Sequence, residues 1–388
     1  MSKKISLEYI DNYNLKNIQQ TLENAFLKLN VEESLKNVRK VLIKVCIPSD
    51  TLPDMAESTH PAVVAALVKI LTNYGKACVV AESPYNKYTN TNLDKVFLNT
   101  GMLEVANLTT CELNRNLKTS KFNLPNGVMA KSVEMLDVIN EVDAIINVGK
   151  LKITPRFGLE AATTNLFGFV PGELKNVVLN RLNTIKEYNN YILDIYEVLK
   201  NKIMLNIVDG VVALEGGTTP RLMSCLGVAE NPFALDLAMA NILGVSADKT
   251  IIKQAEQREL FNSEQNFKNV GEMEEKFTVQ DFAMVEFDEN TPLHTNKNRQ
   301  KSQFMKLQKR VKIEGKVCKG CGICTKICPV NALTMKYDKN GELFTVVDYS
   351  KCIFCYKCVT ACPYSVVEIV KPSGYRKIRK QIDRKNQI

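Results

Sequence analysis

Histidine is scarce in this chain of 388 residues, which holds two, His60 and His294. That scarcity narrows general acid–base chemistry near neutral pH, where imidazole is the usual proton carrier. No apolar run approaches the roughly 18–20 residues of a membrane span. The opening Met1-Ser-Lys-Lys-Ile-Ser-Leu-Glu-Tyr also lacks the apolar stretch of a secretory leader. No G-x-G-x-x-G follows a strand-like segment and no Walker sequence occurs, so nothing supports a nucleotide site, although these absences leave a flavin open. Hydrophobic residues at 45% and charged residues at 24% suit a globular protein with a sizeable core. The expectation is a cytoplasmic protein without a membrane span, in a compartment reducing enough to keep thiols free.

Cysteine, by contrast, is abundant and ordered. The run Cys318-Lys-Gly-Cys321-Gly-Ile-Cys324-Thr-Lys-Ile-Cys328-Pro329 repeats its spacing as Cys352-Ile-Phe-Cys355-Tyr-Lys-Cys358-Val-Thr-Ala-Cys362-Pro363, and so uses eight of the 12 cysteines. Three cysteines at C-x2-C-x2-C can wrap one iron–sulfur cube, while the fourth, before a proline, ligates the cube of the other motif. This is the bacterial ferredoxin pattern. It predicts two [4Fe-4S] clusters, one on Cys318, Cys321, Cys324 and Cys362, the other on Cys352, Cys355, Cys358 and Cys328. Gly320 and Gly322 give the first loop freedom to curl, and Pro329 and Pro363 fix the chain direction after each crossing cysteine. A zinc ribbon also uses C-x2-C pairs but needs only four thiolates, so two complete runs favour clusters.

The formal charge of +9 is unevenly spread. Residues 1–296 carry 30 Lys and Arg against 36 Asp and Glu, whereas Lys297–Lys319 holds nine basic residues against Glu314 and Lys371–Ile388 seven against Asp383. Each oxidised cube with its thiolates adds about −2 relative to neutral thiols. Basic arms beside an anionic cofactor explain the excess better than nucleic acid does, and they also suit a redox partner protein with an acidic docking surface.

Upstream, strand-like and helix-like segments alternate. Val41–Ile47, Ala77–Ala81, Asp143–Val148 and Ile203–Val208 read as buried strands; Pro61–Tyr74 and Asn92–Asn99 read as helices, the latter closing at Gly101. Such alternation predicts an α/β domain with a mainly parallel sheet covered by helices, followed by a small α+β ferredoxin-like dicluster domain. Residues 1–295 form the first domain, 296–315 a basic linker, 316–371 the ferredoxin domain and 372–388 a basic tail. Residues 260–296 read as irregular, and Asp338-Lys-Asn-Gly341 as the turn of a hairpin, with Val366–Val370 as the return strand. Ligands of open α/β sheets gather at the carboxyl ends of strands. Ser49-Asp50, Glu82-Ser83, Gly149-Lys150 and Asp209-Gly210 are expected there.

An ordered set of phrases resembles the family known as domain of unknown function 362. They are Val41-Leu-Ile-Lys44, Ser58-Thr-His-Pro61, Val79-Val-Ala-Glu-Ser-Pro84, Thr100-Gly-Met102, Asn165-Leu-Phe-Gly168 with Pro171-Gly172, Ile207-Val-Asp-Gly-Val211 and Pro232-Phe-Ala-Leu-Asp236. The resemblance implies an α/β domain joined to an electron-transfer module, without a settled reaction. More distantly it is similar to the lactate racemase apoprotein fold, by analogy alone. The chain departs from the family at Lys44-Val-Cys46 in place of Lys-Pro-Asn, at Lys152-Ile-Thr154 in place of Lys-Thr-His, at Thr164 in place of lysine, and near Leu179, where a histidine is missing. The Gly- and Pro-rich turn after Asp209 is shortened to Glu215–Arg221. These losses remove proton-transfer and anion-binding groups.

A tentative pocket group remains: Lys44, His60, Ser83, Lys152 and Asp209. His60 is equally a helix-start residue and Asp209 and Asp236 equally turn or cap residues, while His294 sits in a polar linker. Cys46, at a strand end, is a candidate reactive thiol; Cys78 reads as core packing. The leading reading is therefore an iron–sulfur protein for one-electron transfer with an upstream α/β domain of unknown substrate. The alternative is a ferredoxin-coupled oxidoreductase acting on a small anionic substrate; a scaffold with structural clusters is a third.

Overall fold

The computed structural model describes residues 4–85, 87–265, 267–279, 282, 286–293, 310–315, 317–328, 331–349, 351–352 and 357–370. His294, Pro329, Phe354, Cys355, Tyr356, the linker up to residue 309 and the basic tail lie outside the described residues. The chain divides into two units, residues 1–175 with 182–291, and residues 176–181 with 292–388.

The strands of the first unit are β1 (Lys4–Tyr9), β2 (Lys40–Val45), β3 (Ala77–Ala81), β4 (Glu112–Leu113), β5 (Thr119–Asn123), β6 (Ser132–Leu136), β7 (Ala144–Thr154), β8 (Gly158–Glu160), β9 (Ile203–Glu215), β10 (Thr219–Ala229) and β11 (Lys268–Asn269). Its helices are α1 (Leu15–Leu29), α2 (Val31–Leu35), α3 (Pro61–Asn73), α4 (Asn90–Asn99), α5 (Met102–Leu108), α6 (Gly172–Arg181, shared between the units), α7 (Ile185–Leu199), α8 (Pro232–Ile242) and α9 (Ile251–Gln257). The main sheet runs β11-β1-β10-β9-β7-β2-β3-β4, with β8 beside β7 and β5–β6 a separate hairpin. Pairing is parallel from β9 through β4, while β10 runs antiparallel to both its neighbours, β1 and β9. The sheet centre and the helices α3 and α4 were legible in the sequence, but β1 and β10 extend the sheet, and the other helices cover it, beyond what the alternation suggested.

Alternation along each strand sorts side chains between two faces. Val41, Ile43 and Val45 of β2, Val80 of β3, Val148 of β7 and Ile207 and Val211 of β9 join the core under α1 to α5. Leu42, Lys44, Asn147 and Asn206 project to the opposite face. There α8 presses so close that a side chain at Gly227 of β10 would strike Met239 and Leu235. Pro61 opens α3 at a position where its missing N–H costs nothing, and Gly75 at φ +70° lets the chain leave.

Two strand ends fall elsewhere than expected. β7 and β9 continue to Thr154 and Glu215, so Lys150 and Asp209 lie inside long strands, directly paired, just before the register shifts. Residues 268–269, expected to be irregular, add β11 beside β1.

In the second unit, β12 (Arg310–Ile313) pairs antiparallel with β15 (Val367–Val370), and β13 (Leu333–Tyr337) with β14 (Leu343–Val347); α10 (Ile323–Lys326) and α11 (Lys357–Ala361) follow the cysteine loops. Arg310–Ile313, at the end of the expected basic linker, is thus a strand. The expected hairpin turn is built by the Asp338 carboxylate, which accepts from the Asn340 and Glu342 N–H groups at 2.8 Å each, with Gly341 at φ +81°.

Candidate functional site

Across the middle of the main sheet, Lys44, Asn147 and Asn206 are register neighbours and form a polar row in an otherwise apolar layer. Asn147 donates to Asn206 at 2.9 Å and to the Ala162 carbonyl at 2.8 Å, and it accepts from Asn165 at 2.8 Å. Lys44 Nζ donates to Glu82 at 2.7 Å, to the Val45 carbonyl at 2.6 Å and to Asn165 at 3.2 Å. Lys175 from α6 reaches the same Glu82 at 3.5 Å and donates to the Ser83 carbonyl. Burial of Lys175 pushes its ammonium down to about 8, against the pull of Glu82. Gly168 makes this cluster possible, because a side chain there would overlap Lys44 and Glu82.

His60 and Asp209 belong to the opposite face. Asp209 accepts from Lys150 at 2.8 Å, the Tyr13 hydroxyl at 2.7 Å, the His60 N–H at 2.9 Å and the Val211 N–H at 3.3 Å. His60 caps α3, its Nδ1 accepting from the Ala62 N–H at 3.1 Å, and its ring stacks on Tyr13 at 3.6 Å between centroids. Burial holds the imidazole neutral, down to about 4, despite Asp209. Burial likewise lowers the Lys150 ammonium, and Asp209 opposes that loss. The preceding Thr59 ties the loop to two strands, accepting from the Cys46 N–H at 3.0 Å and donating to the Val148 carbonyl at 2.8 Å. The phrase Ser58-Thr-His-Pro61 therefore serves to pin the start of α3 to β2, β7 and β9.

The five residues of the tentative pocket thus separate. Lys44 and Ser83 meet around Glu82, while His60 and Asp209 meet around Tyr13 and Lys150. Lys152 joins neither set. Its Nζ lies 3.6 Å from Cys46 Sγ and 3.1 Å from Glu160, which also accepts from Thr154 at 2.7 Å. Burial raises the Cys46 thiol, with Lys152 opposing, so this sulfur is kept protonated rather than activated. Burial works against the Lys152 ammonium too, but the Cys46 sulfur, where it ionises, and the Glu160 carboxylate more than offset it and the net shift is upward. Nearby, Nε and Nη2 of Arg156 are buried without a hydrogen-bond partner. Asp236, buried at the start of α8, accepts from the Ala162 and Thr163 N–H groups at 2.7 and 3.0 Å, and burial raises it to about 6.

Glu82, Lys175, Tyr13, Asn147, Asn206 and Arg156 were not in the expected pocket group. Asn147 and Asn206 had a readable signal, since each interrupts an apolar strand. Tyr13 and Lys175 had none, because their partners are distant in sequence.

In the second unit Cys318, Cys321 and Cys324 of the first motif and Cys362 of the second line one hollow, together with Thr345 and Val367. Among the described residues, no group of three His, Cys, Asp or Glu side chains closes on a position for a single ion. Cys324 lies 3.4 Å from the Thr345 hydroxyl, and Cys328 accepts the Ala332 N–H at 3.2 Å. Such contacts to sulfur stabilise thiolate and tune the potential of a bound cluster. Cys352 and Cys358 are buried, Cys328 is half-buried, and Cys355 lies outside the described residues.

Fold and cysteine pattern together define a helix-covered α/β protein followed by a ferredoxin-type iron–sulfur module. The chain belongs to the family described as Domain of unknown function (DUF362), whose model matches residues 41–241, and a 4Fe-4S dicluster domain matches residues 317–366. A thylakoid-associated protein of Synechocystis is 24% identical over 250 residues, 63% of this chain and 75% of that protein. NAD(P)H-quinone oxidoreductase subunit I of Gloeobacter violaceus is 31% identical over 68 residues, covering 16% of this chain and 32% of the subunit. The lactate racemase apoprotein of Thermoanaerobacterium thermosaccharolyticum superposes with a TM-score of 0.41 at 12% identity, over 62% of this chain and 57% of that one. The chain therefore spans about a third of the subunit and under two thirds of the racemase. No helix among the described residues is long and apolar enough to cross a membrane.

Proposed function

We propose that this chain carries single electrons on two [4Fe-4S] clusters, one held by Cys318, Cys321, Cys324 and Cys362 and the other by Cys352, Cys355, Cys358 and Cys328. The observation that supports it is the hollow lined by Cys362 together with the three cysteines of the first motif, the crossed set that the duplicated spacing requires. When bound, each cluster supplies reversible one-electron transfer. The chain contributes the sulfur ligands, the Ala332 N–H and Thr345 hydroxyl beside them, and a buried apolar layer of Val311, Leu333 and Val367 that limits water. The basic residues around 297–319 and 371–388 favour a redox partner with an acidic docking face, an attraction that salt should weaken.

Crossed ligation has a sharp test. Anaerobically prepared Cys362→Ser protein should lose half its iron and sulfide and give the same residual paramagnetic spectrum as Cys321→Ser, whereas Cys328→Ser should match Cys355→Ser. If Cys362→Ser instead matches Cys355→Ser, or keeps all its iron, the assignment is wrong. A second reading, in which the α/β unit binds a small anion and exchanges electrons with it, is favoured by the Arg156 Nε and Nη2 atoms, buried without a hydrogen-bond partner.

A further inference from the structure

Arg156 stands in the turn between β7 and β8, and its Nε and Nη2 atoms form the flat two-donor edge of the guanidinium. Both are buried, and neither has an acceptor within hydrogen-bond distance. Among the described residues, the buried lysines are closed: Lys44 by Glu82, Lys150 by Asp209, Lys175 by the Ser83 carbonyl and Lys152 by Glu160. A buried charged donor without an acceptor costs more than a lost neutral hydrogen bond, so a site that keeps one is arranged for a partner from outside.

The surroundings say what that partner is. Arg156 Cζ lies 4.9 Å from the Phe157 ring centroid, and Phe157 stacks on Tyr188 at 4.6 Å, giving the guanidinium an aromatic wall. Tyr85 and Tyr188, from the loop after β3 and from α7, both feel the Arg156 charge, and burial raises both phenols, so both stay neutral donors. Cys46 also stays neutral. Lys152 is answered by Glu160, which leaves the Arg156 edge without a carboxylate, and Lys175, 5.0 Å from the Tyr85 ring, adds to the positive side. A planar, two-point donor edge matches the two oxygens of a carboxylate.

We propose that Arg156, backed by Lys152 and walled by Phe157, Tyr85 and Tyr188, binds the carboxylate of a small organic acid in the α/β unit. The inference rests on the ligand-binding reading of that unit and not on the cluster assignment, and its test reads binding rather than turnover. Full-length cluster-loaded protein is titrated calorimetrically with benzoate, acetate and inorganic phosphate at constant ionic strength, and its thermal unfolding is followed in each. A monocarboxylate should bind saturably and raise the unfolding midpoint. Arg156→Lys keeps the charge but loses the two-point edge, and should weaken binding roughly 10- to 100-fold. Arg156→Met should abolish the response while leaving the ligand-free midpoint equal to or above that of the wild type, because an unsatisfied charge has been removed. Saturable monocarboxylate binding that survives in Arg156→Met, binding of phosphate alone, or no response to any of the three anions in the wild type would each overturn the proposal. Repeating the titration with Cys321→Ser protein separates the two readings, since the binding should persist when cluster content falls.

Discussion

In the α/β unit, the buried lysines are closed by the chain itself: Glu82 answers Lys44 and Lys175, and Asp209 answers Lys150, with Tyr13 and backbone N–H groups filling the remaining positions around Asp209. In the C-terminal unit the chain gathers sulfur around a hollow, and under the cluster assignment what completes those sulfurs comes from outside. The difference separates polar groups that hold a fold from polar groups that wait for a ligand. By that measure most of the expected upstream pocket is structural, since Lys44 and Asp209 already have their full complement of partners. Arg156 is a charged upstream group that resembles the cysteines in this respect, and the buried hydroxyls of Ser58, Ser83, Thr163, Thr218 and Thr219 also lack a partner.

Breaking the closed side of the comparison should produce the largest loss of stability. Asp209→Ala strands the Lys150 ammonium inside the sheet, and removing one member of a buried ion pair typically costs about 3–5 kcal/mol. Chemical unfolding of the α/β unit should register that loss at neutral pH, while the visible absorption of the clusters stays unchanged. Because burial already lowers Lys150, the loss should shrink as pH rises and the stranded amine sheds its proton. A cost under 1 kcal/mol, or one insensitive to pH, would show that the pair is not the closed charge it resembles.

A smaller effect tests the Glu82 cluster. Lys175 is lowered to about 8 when folded, chiefly by burial, against an ordinary value of 10.5. The unfolded chain therefore keeps a proton between pH 8 and 10.5 that the folded chain has released. Stability from this group is fully present above 10.5 and is lost as pH falls through about 8, a span worth about 3 kcal/mol at most. Lys175→Met should flatten this rise in denaturant midpoint relative to the wild type. An unchanged slope would place the titration elsewhere.

Legibility followed the distance over which each signal acts. Local pattern was enough for β2, β3 and α3, because a buried parallel strand reads as a continuous apolar run and a Pro at the first helical position marks a start. The cysteine motifs carried their own geometry in their spacing. Lys150 and Asp209 were placed at strand ends because β7 and β9 turn polar there, yet the two strands continue by pairing those residues with each other. Tyr13 and Lys175 meet their partners only through the fold, across 196 residues to Asp209 in one case and 92 to Ser83 in the other. No window of sequence displays such a contact. Arg156 offered no signal at all, since a lone arginine in a turn reads as solvated surface.

The finest test concerns His60, which the sequence left divided between cap and pocket. Its Nδ1 accepts from Ala62 and its N–H donates to Asp209, so a capping role accounts for both contacts. Asn is a good substitute at a helix start, and His60→Asn should keep the cap while losing the stack on Tyr13, at a cost of about 0.5–1.5 kcal/mol. The acid limb should then separate the two proteins. Burial lowers His60 from 6.5 to about 4, so its contribution is present above pH 6.5 and is lost as pH falls through about 4. Discounted for the partial exposure of the ring, that window is worth about 1–2 kcal/mol. His60→Asn should therefore be slightly less stable than the wild type at pH 7 and close that gap by pH 4 to 5. If it also abolishes carboxylate binding while its pH 7 stability holds, His60 acts on the ligand and the division between structural and waiting groups must be redrawn to include it.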